Sequence, residues 1–146
     1  MMKLTKLFMA CLICFGISIS NTIAETAKPA FIDLGLTEKE LGYKDRSVTV
    51  PVDLEKVPNN PRIDLSFKVI EASTCQDTYS ATELLVNGRN VTDIDFTELN
   101  EGENQAISVP IPKNMLVVGR NEVTIITGSC QKALDAMQFN NLRLYQ

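Results

Sequence analysis

The sequence predicts an all-β protein, an antiparallel β-sandwich of seven to nine short strands with one disulfide. Three observations predict it. Apolar residues recur with a period of two over most of the chain beyond residue 47, the spacing that sets one side of a strand on a core and the other in water. Turn signals break these runs at short intervals: Pro58-Asn59-Asn60-Pro61, Asn87-Gly88, the polar 100–104 segment and Gly119. Two cysteines, Cys75 and Cys130, sit in polar, loop-like stretches far apart in the chain.

Residues 1–24 are expected to lie outside the fold. Lys3 and Lys6 precede a mostly apolar run over 7–19, and Thr22 and Ala24 offer small residues for a cut after Ala24. That is the three-part pattern of a secretory signal peptide, and the apolar run is shorter than the roughly 20 residues of a membrane span. The mature chain would be residues 25–146, one exported domain, periplasmic or secreted, with no later apolar run long enough to span a bilayer. Cys11 and Cys14 leave with the leader. Cys75 and Cys130 remain as an even pair in an oxidising compartment, the pattern of one disulfide. Closing a loop of that length stabilises by about 4 kcal/mol in the chain-entropy account.

The elements follow in order. Phe31-Ile32-Asp33-Leu34 reads as a first strand. Residues 37–46 are charged, a loop or a single helical turn, with Thr37 and Glu40 spaced as a capping box. Val48, Val50, Val52 and Leu54 share one face of a strand that Pro51 confines to an edge. Ile63, Leu65, Phe67 and Val69 alternate with Asp64, Ser66 and Lys68. Leu84 and Val86 lead into Asn87-Gly88, which suits a type I′ hairpin turn, and Ile94 and Phe96 supply the return strand. Ile107, Val109 and Ile111 alternate with Ser108, Pro110 and Pro112. Met115-Leu116-Val117 makes a short turn closed by Gly119, and Val123 and Ile125 begin another strand. In the last strand Met137 and Phe139 are out of phase by one residue with Leu142 and Leu144, so Asn140-Asn141 is a candidate β-bulge. The four phenylalanines of the mature chain, Phe31, Phe67, Phe96 and Phe139, fall in apolar registers and are expected in the core.

Charge and composition exclude several functions. The formal net charge of −4 becomes −6 when Lys3 and Lys6 leave, which argues against nucleic acid or anionic lipid as partner. The chain has no histidine, so it can form neither a Ser-His or Cys-His nucleophile pair nor a histidine-ligated zinc site, and it is not expected to be an enzyme. Asp93 and Asp95 flank an inward Ile94 and so face solvent, and Glu101 and Glu103 lie in a glycine-containing turn. A hard-cation site in the 100–104 loop is conceivable from its oxygen donors. Asn90-Val91-Thr92 matches the N-glycosylation triplet.

Residues 63–145 resemble galactose-binding-domain-like, carbohydrate-binding-module-like jelly rolls. The matching features are Leu84-Leu85-Val86-Asn87-Gly88, Val109-Pro110-Ile111-Pro112, residues 116–121 with Gly119-Arg120-Asn121 as the family's recurrent Gly-x-Asn turn, Val123-Thr124-Ile125, and the terminal strand over 135–144. The resemblance implies glycan binding through loops at one end of the sandwich. Some family members hold a structural calcium on an acidic residue near the start of the last strand. Asn140 stands at that place here, so no cofactor is expected, with calcium the one alternative. Many members stack a sugar on tryptophan, which this chain lacks; Tyr43 and Tyr79 are its candidate exposed rings.

Two readings follow. In the first, the protein is an exported lectin-like module with a site in the loops over 75–80, 100–104 and 129–135. Tyr79 would stack, Gln76, Asp77, Asn104 and Asp135 would hydrogen-bond sugar hydroxyls, and Cys75–Cys130 would hold two loops together. In the second, it is a structural subunit meeting an envelope or host protein at the edge near Pro51 or at the acidic loop. The sequence leaves the ligand, the partner and the oligomeric state open.

Overall fold

The computed structural model describes residues 30–73, 78–130 and 133–146, so the leader segment, Cys75, Gln76 and Asp77 lie outside the described residues. The strands are β1 (Phe31–Asp33), β2 (Glu40–Leu41), β3 (Ser47–Leu54), β4 (Arg62–Glu71), β5 (Tyr79–Ser80), β6 (Thr82–Val86), β7 (Arg89–Ile94), β8 (Asn104–Pro110), β9 (Gly119–Ile126), β10 (Ser129–Cys130), β11 (Ala133–Leu134) and β12 (Ala136–Tyr145), with one 3₁₀ turn at Lys113–Met115. One sheet runs β1-β12-β4-β8, with β2 also on β12; a second runs β3-β9-β6-β7; a small third runs β11-β10-β5. All pairings are antiparallel. This is the expected β-sandwich, with two- and three-residue strands added at its margins.

Period-two alternation places the core. Ile63, Leu65, Phe67 and Val69 of β4, Leu84 and Val86 of β6, Val123 and Ile125 of β9, and Met137, Phe139, Leu142 and Leu144 of β12 are buried in one cluster. Phe67 and Phe96 stack at its centre with ring centroids 5.5 Å apart. Phe31 departs from expectation. It is 38 % exposed because the outward positions of β1 belong to the outer face of the sheet, where its ring meets Tyr145 at 5.5 Å and Arg143 at 4.7 Å.

The phase break in β12 is a bulge. Phe139 pairs with Phe67 and Asn141 with Ser66, leaving Asn140 without an opposite residue. A second shift pairs Ala136 with Glu71 and Met137 with Val69, so Ile70 of β4 is extra. Asn87 and Gly88 take φ values of 51° and 73°, the left-handed pair a type I′ turn needs. Pro51 lies on β3, whose one partner is β9, so the edge position is as read. Of the two alternatives for residues 37–46 the structure takes the loop and not the helical turn, with Glu40–Leu41 paired as β2. Glu38 takes φ 64° and donates its N–H to the Phe139 carbonyl, and Phe139 N–H returns to Lys39, so the segment is drawn onto β12 as a strand edge.

The Gly-x-Asn turn is explained by Asn121, which is fully buried. Its Nδ2 donates to the carbonyls of Val117 and Gly119, and its Oδ1 accepts from Val117 N–H and Asn87 Nδ2, at 2.8–2.9 Å. Asn87 in turn accepts from Glu122 N–H, tying the hairpin to the turn before β9. Replacing Asn121 by Ala strips several buried groups of partners at once. The expected loss is about 3 kcal/mol, read as a lower urea midpoint at unchanged m-value.

Candidate functional site

Strand pairing brings the described parts of the three loops expected to hold the site to one end of the sandwich. The pairings Ala136–Glu71, Ser129–Ser80 and Lys68–Asn104 place residues 71–73, 78–80, 127–130, 133–135 and 100–104 at the same end, with the turn after β2 beside them. Within this end the side chains fall into an internal knot and an open cleft.

The knot is built on Asp135, which is fully buried. One oxygen accepts from Ser73 N–H at 3.2 Å; the other accepts from Tyr79 Oη at 2.9 Å and Thr82 Oγ1 at 3.0 Å. Thr82 Oγ1 accepts from Gly128 N–H, and Asp135 N–H donates to the Gly128 carbonyl. Four chain segments thus converge on one carboxylate. Gly128 is confined here by space: a Cβ would meet Asp135 Oδ2, the Ser80 carbonyl and Thr82 N at 2.2, 2.4 and 2.7 Å.

Tyr79 is not the open ring expected of it. It is half-buried against the core, and its hydroxyl, besides donating to Asp135, accepts from Phe96 N–H at 2.8 Å. Burial, chiefly, and the neighbouring Asp135 push its phenol well above the usual tyrosine range. Asn104 opens β8 on the outer face, where its Oδ1 accepts from Asn140 Nδ2 at 3.0 Å. Asn140, at the position compared with a calcium ligand, is engaged in that amide pair. Among the described residues no cluster of three or more acidic or cysteine side chains is placed to hold a metal ion.

The cleft lies alongside the knot, about 400 Å³ in volume, between the turn after β2 and the end of β4. Tyr43 stands in it, 58 % exposed, the most open ring among the described residues. Its hydroxyl donates to Glu71 Oε1 at 2.9 Å, a bond that raises the phenol's pKa by favouring its protonated form. Lys39, Glu40, Lys44 and Asp45 supply charge around it, and Ile70, on the outward face of β4, supplies apolar surface. Gly42 lets this turn settle on β12, since a Cβ there would meet Ala136 Cβ at 2.9 Å. Sequence reasoning named Tyr43 as an exposed ring. It could not pair it with Glu71, because the contact joins residues 28 apart and forms only where β2 and β4 both pair with β12.

The family model of cellulose synthase BcsB, first carbohydrate-binding-module domain, matches residues 30–133. The chain belongs to this family. It is therefore, by family, a carbohydrate-binding-module domain, and the match takes in both the knot residues Tyr79, Thr82 and Gly128 and the Tyr43 cleft. Among solved structures the chain is similar to a family 36 carbohydrate-binding module in complex with calcium and xylotriose (10 % identity, 80 % of this chain and 99 % of that one, TM-score 0.48). It is also similar to family 35 modules from an environmental isolate (17 %, 82 % and 89 %, 0.46) and from Clostridium thermocellum (12 %, 81 % and 98 %, 0.40). No curated protein matches it. No helix among the described residues is long and apolar enough to cross a membrane.

Two outcomes are expected from the knot. Gly128→Ala forces backbone and carboxylate apart and should destabilise by about 3 kcal/mol or more, read by thermal unfolding. In an alkaline titration followed by phenolate absorbance, Tyr79 should ionise in a late phase, well above the usual tyrosine range. Its raised folded pKa gives stability that is complete below the unfolded value near 10 and is lost as pH climbs through the folded one. The late phase should coincide with unfolding and disappear in Tyr79→Phe.

Proposed function

We propose that this protein is an exported, non-enzymatic module that binds a glycan in the cleft beside Tyr43. The observation that carries the reading is the carbohydrate-binding-module family match over residues 30–133; the cleft supplies what such binding needs. A sugar ring offers an apolar C–H face and a rim of hydroxyls. Tyr43 offers a flat ring fixed at its hydroxyl by Glu71, so little side-chain entropy is lost on contact. Glu40, Lys39, Lys44 and Asp45 around the ring can exchange hydrogen bonds with hydroxyls.

In this reading the expected ligand residues divide. Gln76 and Asp77, which follow Ser73 closely in the chain, join Tyr43 as direct partners. Tyr79 and Asp135 act as positioning residues that hold the loops, and Asn104 stays on the outer face of β8. A Cys75–Cys130 bridge ties the loop after β4 to β10, where Cys130 is buried. The leader over 1–24 is removed, delivering residues 25–146 to the periplasm or beyond.

The test is a glycan array with soluble polysaccharides, probing the oxidised protein and two variants. Tyr43→Ala is expected to weaken a saturable hit by about tenfold or more while leaving the melting temperature unchanged. Tyr79→Phe is expected to lower the melting temperature, by leaving Phe96 N–H and Asp135 short of a partner, with affinity for the same glycan retained below the transition. A hit lost in Tyr79→Phe at full folding and kept in Tyr43→Ala would move the site to Tyr79. Silence across the array would favour the other reading, an envelope protein-interaction subunit without a sugar site.

A further inference from the structure

The sandwich has four lateral margins, and three are guarded against pairing with another chain. β3 carries Pro51 and Asp53 within its length. β7 carries Arg89 and Asp93, and a register shift against β6 leaves Val91 without an opposite residue. The margin on β12 is covered only by the short strands β1 and β2. Prolines, charges, bulges and brevity are the devices by which sheet edges avoid further pairing.

β8 has neither charge nor bulge within its span. Its residues, Asn104-Gln105-Ala106-Ile107-Ser108-Val109-Pro110, carry no charge, and its one proline is the terminal residue, leaving 104–109 unguarded. It pairs with β4 on one side and with nothing among the described residues on the other. The phase of its free hydrogen-bonding groups follows from its ends. Ile111 N–H donates to the Pro61 carbonyl and Val69 N–H to the Glu103 carbonyl, both at 2.9 Å, so residues 105, 107 and 109 bond to β4. By the alternation of an antiparallel ladder, the N–H and C=O groups of Ala106 and Ser108 face outward. The inward side chains beneath this edge are only half covered. Ile107 and Val109 border a cleft of about 360 Å³ shared with Phe67, Ile94 and Leu99.

We infer that β8 is a self-association edge, at which a second copy of this chain pairs antiparallel about a two-fold axis through Ile107. The register is self-complementary. Ala106 meets the partner's Ser108 in a hydrogen-bonded pair, Gln105 meets the partner's Val109, and Ile107 packs on its own counterpart. The terminal proline falls opposite the partner's Asn104, where the missing donor costs one bond. Such isologous contact is the commonest route to a dimer. Charge selects the occupant: two copies of an acidic chain can approach closely only along a strip without charge, and this strand is one. Because the copies repel elsewhere, added salt should tighten the association, the reverse of an interface built on ion pairs.

The test uses the whole chain, expressed with its own N-terminal segment and purified, in sedimentation equilibrium up to about 500 μM. The expected result is a reversible dimer, tighter at higher salt, and weakened about tenfold or more in Ala106→Pro, which removes a donor on the exposed edge. A register check is added. Oxidised Ile107→Cys should yield a covalent dimer, since facing Cα atoms of such a pair lie within disulfide reach, and Val109→Cys, opposite Gln105, should not. A chain monomeric throughout the range overturns the inference. So does a dimer indifferent to Ala106→Pro, or one that crosslinks equally through Val109→Cys. If Ala106→Pro does not fold, the cysteine pair decides alone.

Discussion

The organisation of the loop end depends on one buried carboxylate. A charge removed from water is tolerable only when its oxygens are met by donors, and Asp135 is met by three, from Ser73, Tyr79 and Thr82. Those donors lie more than 50 residues before Asp135 in the chain, so satisfying the carboxylate ties the end of β4 and the starts of β5 and β6 to the segment before β12. Gly128 belongs to the same constraint, because the approach is too close for any side chain there.

The same end shows how irregular pairing makes a surface from a regular fold. Without its two register shifts, β12 would hold β4 in strict alternation and Ile70 would have a fixed opposite number. Alternation along β4 already faces Ile70 outward; the extra residue leaves it unpaired beside Glu71, which accepts from the Tyr43 hydroxyl. The cleft lies beside the Ala136/Met137 shift, and the hydrogen-bonded knot lies behind it. The exposed ring and the structural one are therefore neighbouring but separable side chains, Tyr43 in the cleft and Tyr79 in the knot.

The sandwich was legible because period-two alternation is a local signal: β4, β6, β9 and β12 bury the residues their patterns mark. The β12 bulge was legible for the same reason, since a phase slip between Phe139 and Leu142 is visible along one strand. The Asn87-Gly88 turn was legible from backbone chemistry alone. Burial of the functional-looking polar groups was not. Asp135 and Tyr79 sit in polar, loop-like sequence, and nothing local says that a carboxylate there turns inward; only the meeting of Ser73, Thr82 and Gly128 with it decides the matter. Phe31 misled in the opposite sense, an apolar residue set on the outer face where Tyr145 and Arg143 shelter its ring. The 37–46 segment carried a helical cap signal that lost to pairing with β12, a tertiary contact that outweighed a local propensity.

The placement of β12 has a consequence for how the molecule comes into being. This strand lies between β4 on one side and β1 with β2 on the other, yet it follows all of them in chain order. Gln146 N–H closes on the Ala30 carbonyl, so the sheet is sealed by joining opposite ends of the described chain. During synthesis, β1, β2, β4 and β8 precede the strand that joins them, and Phe67 and Val69 have no Phe139 or Met137 beside them. Closing this sheet is therefore a non-local event that must overcome loop-closure entropy, and it cannot be completed until the last strand is available.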